Sequence, residues 1–462
     1  MRILLVSYDN GSYMTRFPSG LAYIASALQK EGYYVRVYDQ DIHHYPDEHL
    51  TKYLDDHCFD VVGVGVIGGY YQYRKLLSLS KAINKSKNRP FFVIGGHGPS
   101  PEPEYFLKKT QADVAVIGEG EVTIVNLLKA VEDKTSLAYV DGIAFRQGEE
   151  VTVNPRQTLI ANIDDITMPA YNLFNMDCYR LARGVHTDPT DFVMNMLSGR
   201  GCKFECNFCY RMDKGIRIRS NESIMEEINM LNADYRINYF QFYDELLMTS
   251  QARAIDLSEA IIKNGLKIKW YCNGRLNYAT EDVIKAMKAA GCEFINYGIE
   301  CFDDQILINM NKALNTKQIV RGIENTLKYG ITPGLNVIFG NIGENKETLR
   351  KSTDFLLKYS DWMEMRTIRP VTPYPGSPLY YEAIESGLLE GPEDFYENKH
   401  VNSDLLSVNF TDLTDDEVYQ ALSEANTELI EKYYDYQKEN VLRQSAELYD
   451  NKDVGFRGFR QT

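Results

Sequence analysis

Three cysteines within eight residues, Cys202-Lys-Phe-Glu-Cys206-Asn-Phe-Cys209, carry the most specific chemical signal in the chain. Thiolates at this spacing reach three corners of a cubane iron–sulfur cluster from a single loop. No fourth cysteine lies nearby, so one iron is left open to take a ligand, and an open metal position marks chemistry rather than structure. A structural zinc site wants four Cys or His ligands in two close pairs. The nearest histidine here is His186, and no second pair accompanies it. The other cysteines, at 58, 178, 272, 292 and 301, are scattered, and a disulfide framework is not expected. Arg200, Lys203, Arg211, Lys214, Arg217 and Arg219 surround the motif, either as a solvated loop or as holders of anionic ligands.

A loop of this kind needs a rigid frame, and the apolar periodicity supplies two. The first 140 residues alternate strand and helix, with strands expected at Ile3–Ser7, Tyr34–Tyr38, Val61–Ile67, Phe91–Ile94 and Asp113–Ile117. Between the first two, Leu21, Ile24, Ala25 and Leu28 share one face of a helix from Gly20 to Lys30, with Pro18 before it and Gly32 after it. Five such units predict a doubly wound parallel sheet of flavodoxin-like type, whose ligands bind at the carboxyl ends of the strands. The loops there are Asp9-Asn10-Gly11-Ser12, Ile67-Gly68-Gly69-Tyr70-Tyr71, Gly95-Gly96-His97-Gly98-Pro99 and Gly118-Glu119-Gly120-Glu121. Their glycines allow close approach of backbone to a flat or bulky ligand.

Residues 141–185 read as a linker containing a hairpin over Asp141–Asn154 that turns at Gln147-Gly148-Glu149. A second βα series follows over 186–385, with strands at Phe192–Leu197, Tyr239–Tyr243, Lys269–Asn273, Phe294–Ile299, Gly334–Phe339 and Glu364–Pro370. Six units suit a partial (β/α)6 barrel with its site at the carboxyl ends of the strands. Residues 386–462 are expected to form a helical cap, with Asp412–Tyr436 its longest amphipathic stretch, able to close over a substrate.

The chain has 462 residues, 44% of them hydrophobic and 25% charged, the balance of a globular protein of two or three domains. Its net charge of −15 argues against a broad nucleic-acid footprint, which draws on clustered Lys and Arg. No run is apolar enough for a membrane span, and the opening Met-Arg-Ile-Leu-Leu-Val-Ser-Tyr-Asp reads as a buried strand rather than a signal peptide. A cytoplasmic location is expected.

Cys-x3-Cys-x2-Cys with an aromatic before the last Cys resembles the signature of the radical S-adenosylmethionine (SAM) superfamily. The resemblance implies a 4Fe–4S cluster whose open iron binds SAM. An electron from the cluster then cleaves SAM to a 5′-deoxyadenosyl radical. It also implies a reductant such as flavodoxin or ferredoxin and a small-molecule, lipid or peptide substrate. Phe208 would line the adenine, and Asp244 or Glu245, in Phe242-Tyr243-Asp244-Glu245, would accept the SAM ammonium. Trp270-Tyr-Cys-Asn-Gly-Arg275 is similar to a Trp-to-Arg pattern that places Arg275 on the SAM carboxylate. Gly298-Ile-Glu300-Cys301 resembles a Gly-Ile-Glu-Ser segment with Glu300 near the ribose, and Asn336 is assigned to the same ligand. Phe339-Gly-Asn-Ile-Gly343-Glu344 and Pro373-Tyr-Pro375-Gly376-Ser377-Pro378-Leu379 match later family segments, the former without its proline.

Phe17-Pro18-Ser19-Gly20-Leu21, Gly95–Pro99 and Gly118–Glu121 resemble the cobalamin-binding domain of one large radical SAM branch, which includes methyltransferases and the anaerobic magnesium-protoporphyrin ester cyclase. The resemblance assigns Asp9, Asn10, Arg16, Phe17, Pro18, Ile67, Gly69, Tyr70, Gly95, Gly96, His97, Gly118, Glu119, Gly120 and Glu121 to the corrinoid rim. The Asp-x-His-x-x-Gly motif that supplies an axial histidine elsewhere is absent, so a cobalt without a histidine ligand is expected, with His97 a turn residue. Methyl transfer to an unactivated carbon is the leading expectation. Radical oxidation, cyclisation or rearrangement is the alternative, and a non-catalytic iron–sulfur sensor is a third. A methylthiotransferase is disfavoured, because that family carries extra N-terminal cysteines and a basic C-terminal domain, and here the first 140 residues hold only Cys58.

Overall fold

The computed structural model describes residues 1–11, 16–184 and 186–452. Ser12 of the first rim loop, Val185 at the end of the linker and residues 453–462 lie outside the described residues. Two parallel sheets organise the chain.

The N-terminal sheet contains β1 (Arg2–Ser7), β2 (Tyr34–Asp39), β3 (Val61–Gly65), β4 (Phe91–Gly95), β5 (Val114–Val116), β6 (Ile143–Gln147) and β7 (Glu150–Val153). Its order is β2-β1-β3-β4-β5-β6-β7. The first five strands are parallel, which is the doubly wound arrangement, with the order reversing beside β1. Alternation along β1 shows why both faces are covered. Ile3 and Leu5 pack with Ala25 and Leu28 of the helix Ser19–Lys30 and with Ile124 and Leu127 of the helix Gly120–Glu132. Leu4 and Val6 face Leu50, Leu54, Leu76 and Phe106 on the other side.

The hairpin expected at 141–154 forms, but not as part of a free linker. β6 pairs antiparallel with β5, and β7 with β6, so the hairpin caps the edge of the first sheet. Local pattern shows a hairpin; it does not show where its outer edge docks.

The second sheet has the order β15-β14-β13-β12-β11-β8, six parallel strands in sequential order that make a half-barrel. These are β8 (Val193–Met196), β11 (Tyr239–Phe242), β12 (Lys269–Gly274), β13 (Cys292–Glu300), β14 (Thr332–Phe339) and β15 (Arg369–Pro370). A short antiparallel pair, β9 (Gly199–Cys202) and β10 (Gly215–Ile218), follows β8. One face of each barrel strand is apolar: Met194, Phe240, Trp270, Ile295 and Val337 pack under the helices with Ile224, Leu257, Val283 and Ile323. The alternate residues Gln241, Asn273, Asn296 and Asn336 are polar, and they point into the barrel. The sixth strand shrinks from the expected Glu364–Pro370 to two residues, which leaves Glu364 and Arg366 on irregular backbone.

The C-terminal segment departs from the expected cap. The helix Asp415–Asn451 buries Val418, Leu422 and Leu429 in the barrel's helical layer beside the helix Lys346–Tyr359, with ion pairs Lys346–Glu417 (3.3 Å) and Arg350–Glu428 (2.6 Å). It braces the outside of the barrel and does not cover the mouth. The stretch that spans the two units is instead Asp394–His400. There Tyr396 stacks on Tyr73 (4.8 Å) and Tyr105 (5.9 Å) of the N-terminal unit. Phe395 and Tyr396 lie in the same apolar cluster as Tyr380.

His400 locks this strap. It is wholly buried, stacked on Phe395 at 5.0 Å, and neither ring nitrogen has a partner among the described residues. Burial pushes its imidazole down to about 4. The unfolded chain, at about 6.5, takes up the proton first as pH falls, so the stability held by the neutral ring is full above about 6.5 and is lost toward 4. His400→Phe is expected to reduce the fall in unfolding midpoint between neutral pH and about pH 5, measured by denaturant titration of both proteins.

Candidate active site

The cysteine loop hangs between the arms of the β9–β10 hairpin. Cys202 ends β9, Cys206 is buried, and Cys209 returns its backbone N–H to the Cys206 carbonyl (3.2 Å). Gly201 sits at φ +86 with the Gly215 carbonyl against it, where a side chain would collide. The middle of the loop is tied down by Asn207. Its N–H donates to the Met310 carbonyl (3.0 Å), its carbonyl accepts from Leu379 (2.8 Å), and its amide pairs reciprocally with Asn341 (3.0 Å each way). Asn311 holds the Glu205 carbonyl at 2.8 Å.

Charges surround the three thiols. Burial, then the neighbouring Cys206 and Cys202, pushes the Cys209 thiol up to about 11, and burial raises Cys202 as well. Lys312 opposes the rise at Cys209 and Arg275 opposes it at Cys202. Mutually repelling thiols flanked by two cations are a donor set that becomes fully thiolate when a positive iron centre binds. The residues therefore fit a cluster. Among the described residues no group of three or more His, Cys, Asp or Glu is arranged to hold a single metal ion.

Sequence-assigned SAM residues divide into two sets here. Glu245 lies beside Cys202 and Cys209, with its carboxyl raised by burial and partly offset by the Gly201 N–H, so a carboxylate stands next to the loop where an ammonium could bind. Asp244 is not free. Its carboxylate accepts from the Ser198 N–H (2.7 Å) and the Ser198 hydroxyl, is pushed up to about 6 by burial, and anchors the foot of the hairpin. Arg275 reaches the thiols but donates to the Lys312 and Ala313 carbonyls, and its guanidinium lies 3.5 Å from the centre of the Phe204 ring. It braces the loop. Glu300 has φ +68 at a register shift in β13 and pairs with Lys312 at 2.8 Å, both buried. Lys312 also lies 5.6 Å from the Phe208 ring, which packs on Cys301, Ile306 and Met310. No motif marked Lys312; it arrives from a loop after β13.

Asn336 belongs to a ladder inside the barrel. Asn273 Nδ2 donates to the Asp244 carbonyl (2.8 Å), Asn296 Nδ2 to Asn273 Oδ1 (3.1 Å), and Asn336 Nδ2 to Asn296 Oδ1 (2.8 Å). A cavity of about 300 Å³ opens beside the ladder, with Tyr243, Tyr271, Glu364 and Arg366 on its walls. An asparagine at one inward position of three consecutive strands was the available signal for it.

The corrinoid-rim residues gather as the topology requires, at the carboxyl ends of β1, β3, β4 and β5. Asp9 binds His44 (2.9 Å) and the Gly11 N–H (2.7 Å), and Asn10 is fixed on Asp41 (2.8 Å). Ile67 is exposed, Gly69 precedes the helix that starts at Tyr70, and Gly95 ends β4. Gly96 is at φ +96 with a Cβ position 2.5 Å from the Val66 carbonyl, so no other residue fits there. His97 meets Tyr210, the neighbour of Cys209, edge-on at 6.0 Å, which brings the two rims face to face.

Several of the assigned residues are engaged within the protein itself. Phe17 is core: it stacks on Tyr171 at 4.9 Å and meets Phe174 and Tyr179, while Pro18 leads into the first helix. Arg16 reaches across to the Tyr243 hydroxyl of the barrel. Gly118 is a left-handed turn at φ +83, and Gly120 clears Ile24 of the first helix. Glu119 and Glu121 are occupied by the basic cluster of the cysteine hairpin. Glu121 takes Arg200 (2.6 Å), and Glu119 takes both Arg200 (3.2 Å) and Arg217 (2.9 Å). These side chains are no more than about one-sixth exposed. Of the remaining cations, Arg219 pairs with buried Glu227 and Arg211 with Glu205 (3.8 Å).

Fold and site together define a class: a doubly wound unit facing a half-barrel that carries a three-cysteine cluster loop. The sequence profile of the radical SAM superfamily matches residues 196–356, and that of the B12 binding domain matches residues 13–128. An uncharacterized methyltransferase of Pyrococcus horikoshii is 32% identical over 400 residues, covering 84% of each chain. The anaerobic magnesium-protoporphyrin IX monomethyl ester cyclase of Rubrivivax gelatinosus is 26% identical over 377 residues, 79% of this chain and 66% of that one. Among solved structures, the radical SAM methyltransferase TsrM of Kitasatospora setae, with cobalamin and a 4Fe–4S cluster bound, shares the fold at TM-score 0.73 and 18% identity, covering 93% of this chain and 89% of that one. The chain belongs to the radical SAM superfamily, in the branch with an N-terminal B12 binding domain. It is a cobalamin-dependent radical SAM enzyme whose cofactors are a 4Fe–4S cluster, SAM and cobalamin. No helix among the described residues is long and apolar enough to cross a membrane.

Glu119 is the hub of the clamp between the two units. Glu119→Gln leaves the largely buried Arg217 guanidinium without its carboxylate, while Arg200 keeps Glu121, and is expected to destabilise the protein by about 3 kcal/mol. Denaturant unfolding reads that loss. A broadened cluster-to-cobalt distance distribution in pulsed EPR would show that the clamp sets the spacing of the rims.

Proposed function

We propose that the chain is a methyltransferase that acts on an unactivated carbon of a small polar molecule. Residues 1–154 would hold the corrinoid, residues 186–385 would hold the cluster and SAM, and the C-terminal segment would brace both. The observation that carries this reading is the meeting of the two rims at Tyr210 and His97, one residue from a cluster cysteine.

Reductive cleavage of SAM at the cluster supplies a hydrogen-abstracting radical, and cobalamin supplies a methyl group. The chain's own residues perform the remaining tasks. Cys202, Cys206 and Cys209 hold three irons. Glu245 holds the SAM ammonium, with Asp244 behind it fixing the hairpin. Glu300, paired with Lys312 at 2.8 Å, would accept from the ribose hydroxyls, and Phe208 would flank the adenine. Gly96 and Gly118 shape the turns of the rim, and the exposed Ile67 would offer the macrocycle an apolar surface there. The ladder Asn273–Asn296–Asn336 faces the substrate rather than SAM. Holding reactants in one closed space removes water and fixes orientation, which is the main contribution a protein makes to such chemistry.

A low-potential cluster and eight free cysteines call for the reducing cytoplasm and a donor such as flavodoxin or ferredoxin. The likeness to the ester cyclase favours one second reading, radical oxidation without methyl transfer.

Anaerobically reconstituted protein with SAM and dithionite is expected to release 5′-deoxyadenosine. Alanine at any of Cys202, Cys206 or Cys209 should abolish it together with the cluster absorbance. With trideuteromethyl-SAM, deuterium should enter the corrinoid methyl group. A corrinoid that stays unlabelled while 5′-deoxyadenosine accumulates would favour the oxidative reading.

A further inference from the structure

The barrel cavity has a polarity that its hydrogen bonds fix. The Asp244 carbonyl can only accept, so Asn273 must turn its Nδ2 toward it. Asn273 Oδ1 must then accept from Asn296, and Asn296 Oδ1 from Asn336. The ladder therefore ends on Asn336 Oδ1, a lone acceptor facing the cavity.

Two charges stand side by side on the wall of the same cavity. Arg366 is 8% exposed; one terminal nitrogen bonds the Pro333 carbonyl (3.1 Å) and the other lies 3.2 Å from Glu364. Its Nε–H has no partner among the described residues. That nitrogen has no surface open to the cavity, which Arg366 lines through the rest of its side chain. Glu364, held ionised by His186 and Arg366, keeps part of its surface open. His186 is stacked on Phe294 at 4.2 Å, with its Nε2 3.5 Å from the Glu364 carboxylate.

We propose that this cavity binds an amino-acid-like zwitterion. Its carboxylate would lie against the positive Arg366 side chain, and its ammonium would lie between Glu364 and Asn336 Oδ1. Opposite charges 3.2 Å apart in the wall match a ligand whose opposite charges are separated by only two bonds, laid head to tail against them. A volume of about 300 Å³ stands at the small end of ligand pockets and suits such a molecule. This assignment rests on the reading that the barrel interior holds the substrate of a radical SAM enzyme.

The test uses the cofactor-loaded full chain in equilibrium dialysis and thermal unfolding. The probes are the free proteinogenic L-amino acids, the N-acetyl and methyl ester forms of the tightest of them, and protoporphyrin IX. Saturable binding of a free amino acid is expected, weakened about tenfold or more when either charge of the probe is masked, the size of one charged hydrogen-bonded contact. Arg366→Gln should weaken binding similarly, and Arg366→Lys should restore part of it. Absence of binding by any amino acid, indifference to masking, or preference for the porphyrin overturns the proposal. Wild-type release of 5′-deoxyadenosine from SAM alone, with no probe present, tests the underlying enzyme reading separately.

Discussion

The whole arrangement depends on holding three thiols together in a buried loop until iron binds them. Alone they repel once ionised, and burial adds to the cost, as the rise of Cys209 to about 11 records. The chain meets that cost by fixing the loop at every side. Asp244 grips the foot of the hairpin through Ser198, Asn207 is clasped by Asn341 and the Met310 carbonyl, and Arg275 and Lys312 bring positive charge alongside. A loop so over-determined loses little entropy when the cluster forms.

The same hairpin joins the two halves of the molecule. Arg200 and Arg217 leave its arms and end on Glu119 and Glu121 of the first unit, so the loop that carries the cluster and the rim that faces the corrinoid share one ionic contact. Partial burial makes this contact stronger and more geometrically demanding than a surface ion pair. Aromatic contacts repeat the link elsewhere: Phe17 inserts among Tyr171, Phe174 and Tyr179, and Tyr396 stacks on Tyr73. The two units behave as one frame around a common chamber, which is what chemistry passing between two cofactors requires.

Inside the half-barrel the polar face follows from strand alternation alone. Each strand turns its apolar residues out to the helices and its amides inward, and a backbone carbonyl then sets the direction of the whole amide ladder. One break in the pattern is equally informative. The sixth strand stops at two residues, and the irregular backbone before it presents Glu364 and Arg366 to the cavity.

Much of this was legible in the residue order. Periodicity marks eleven of the strands because burial of one or both faces is written in local alternation, and the cysteine spacing speaks for itself because one loop supplies all three ligands. Tertiary structure decided what local pattern cannot encode. It determined that the Ile143–Val153 hairpin completes the first sheet and that the last helix lies outside the barrel. It also engaged Phe17, Asp244, Glu119 and Glu121 in contacts within the frame itself. A carboxylate beside a ligand and a carboxylate beside an arginine look alike in one dimension. Which it is depends on a partner 79 to 98 residues away, and only folding brings that partner within reach.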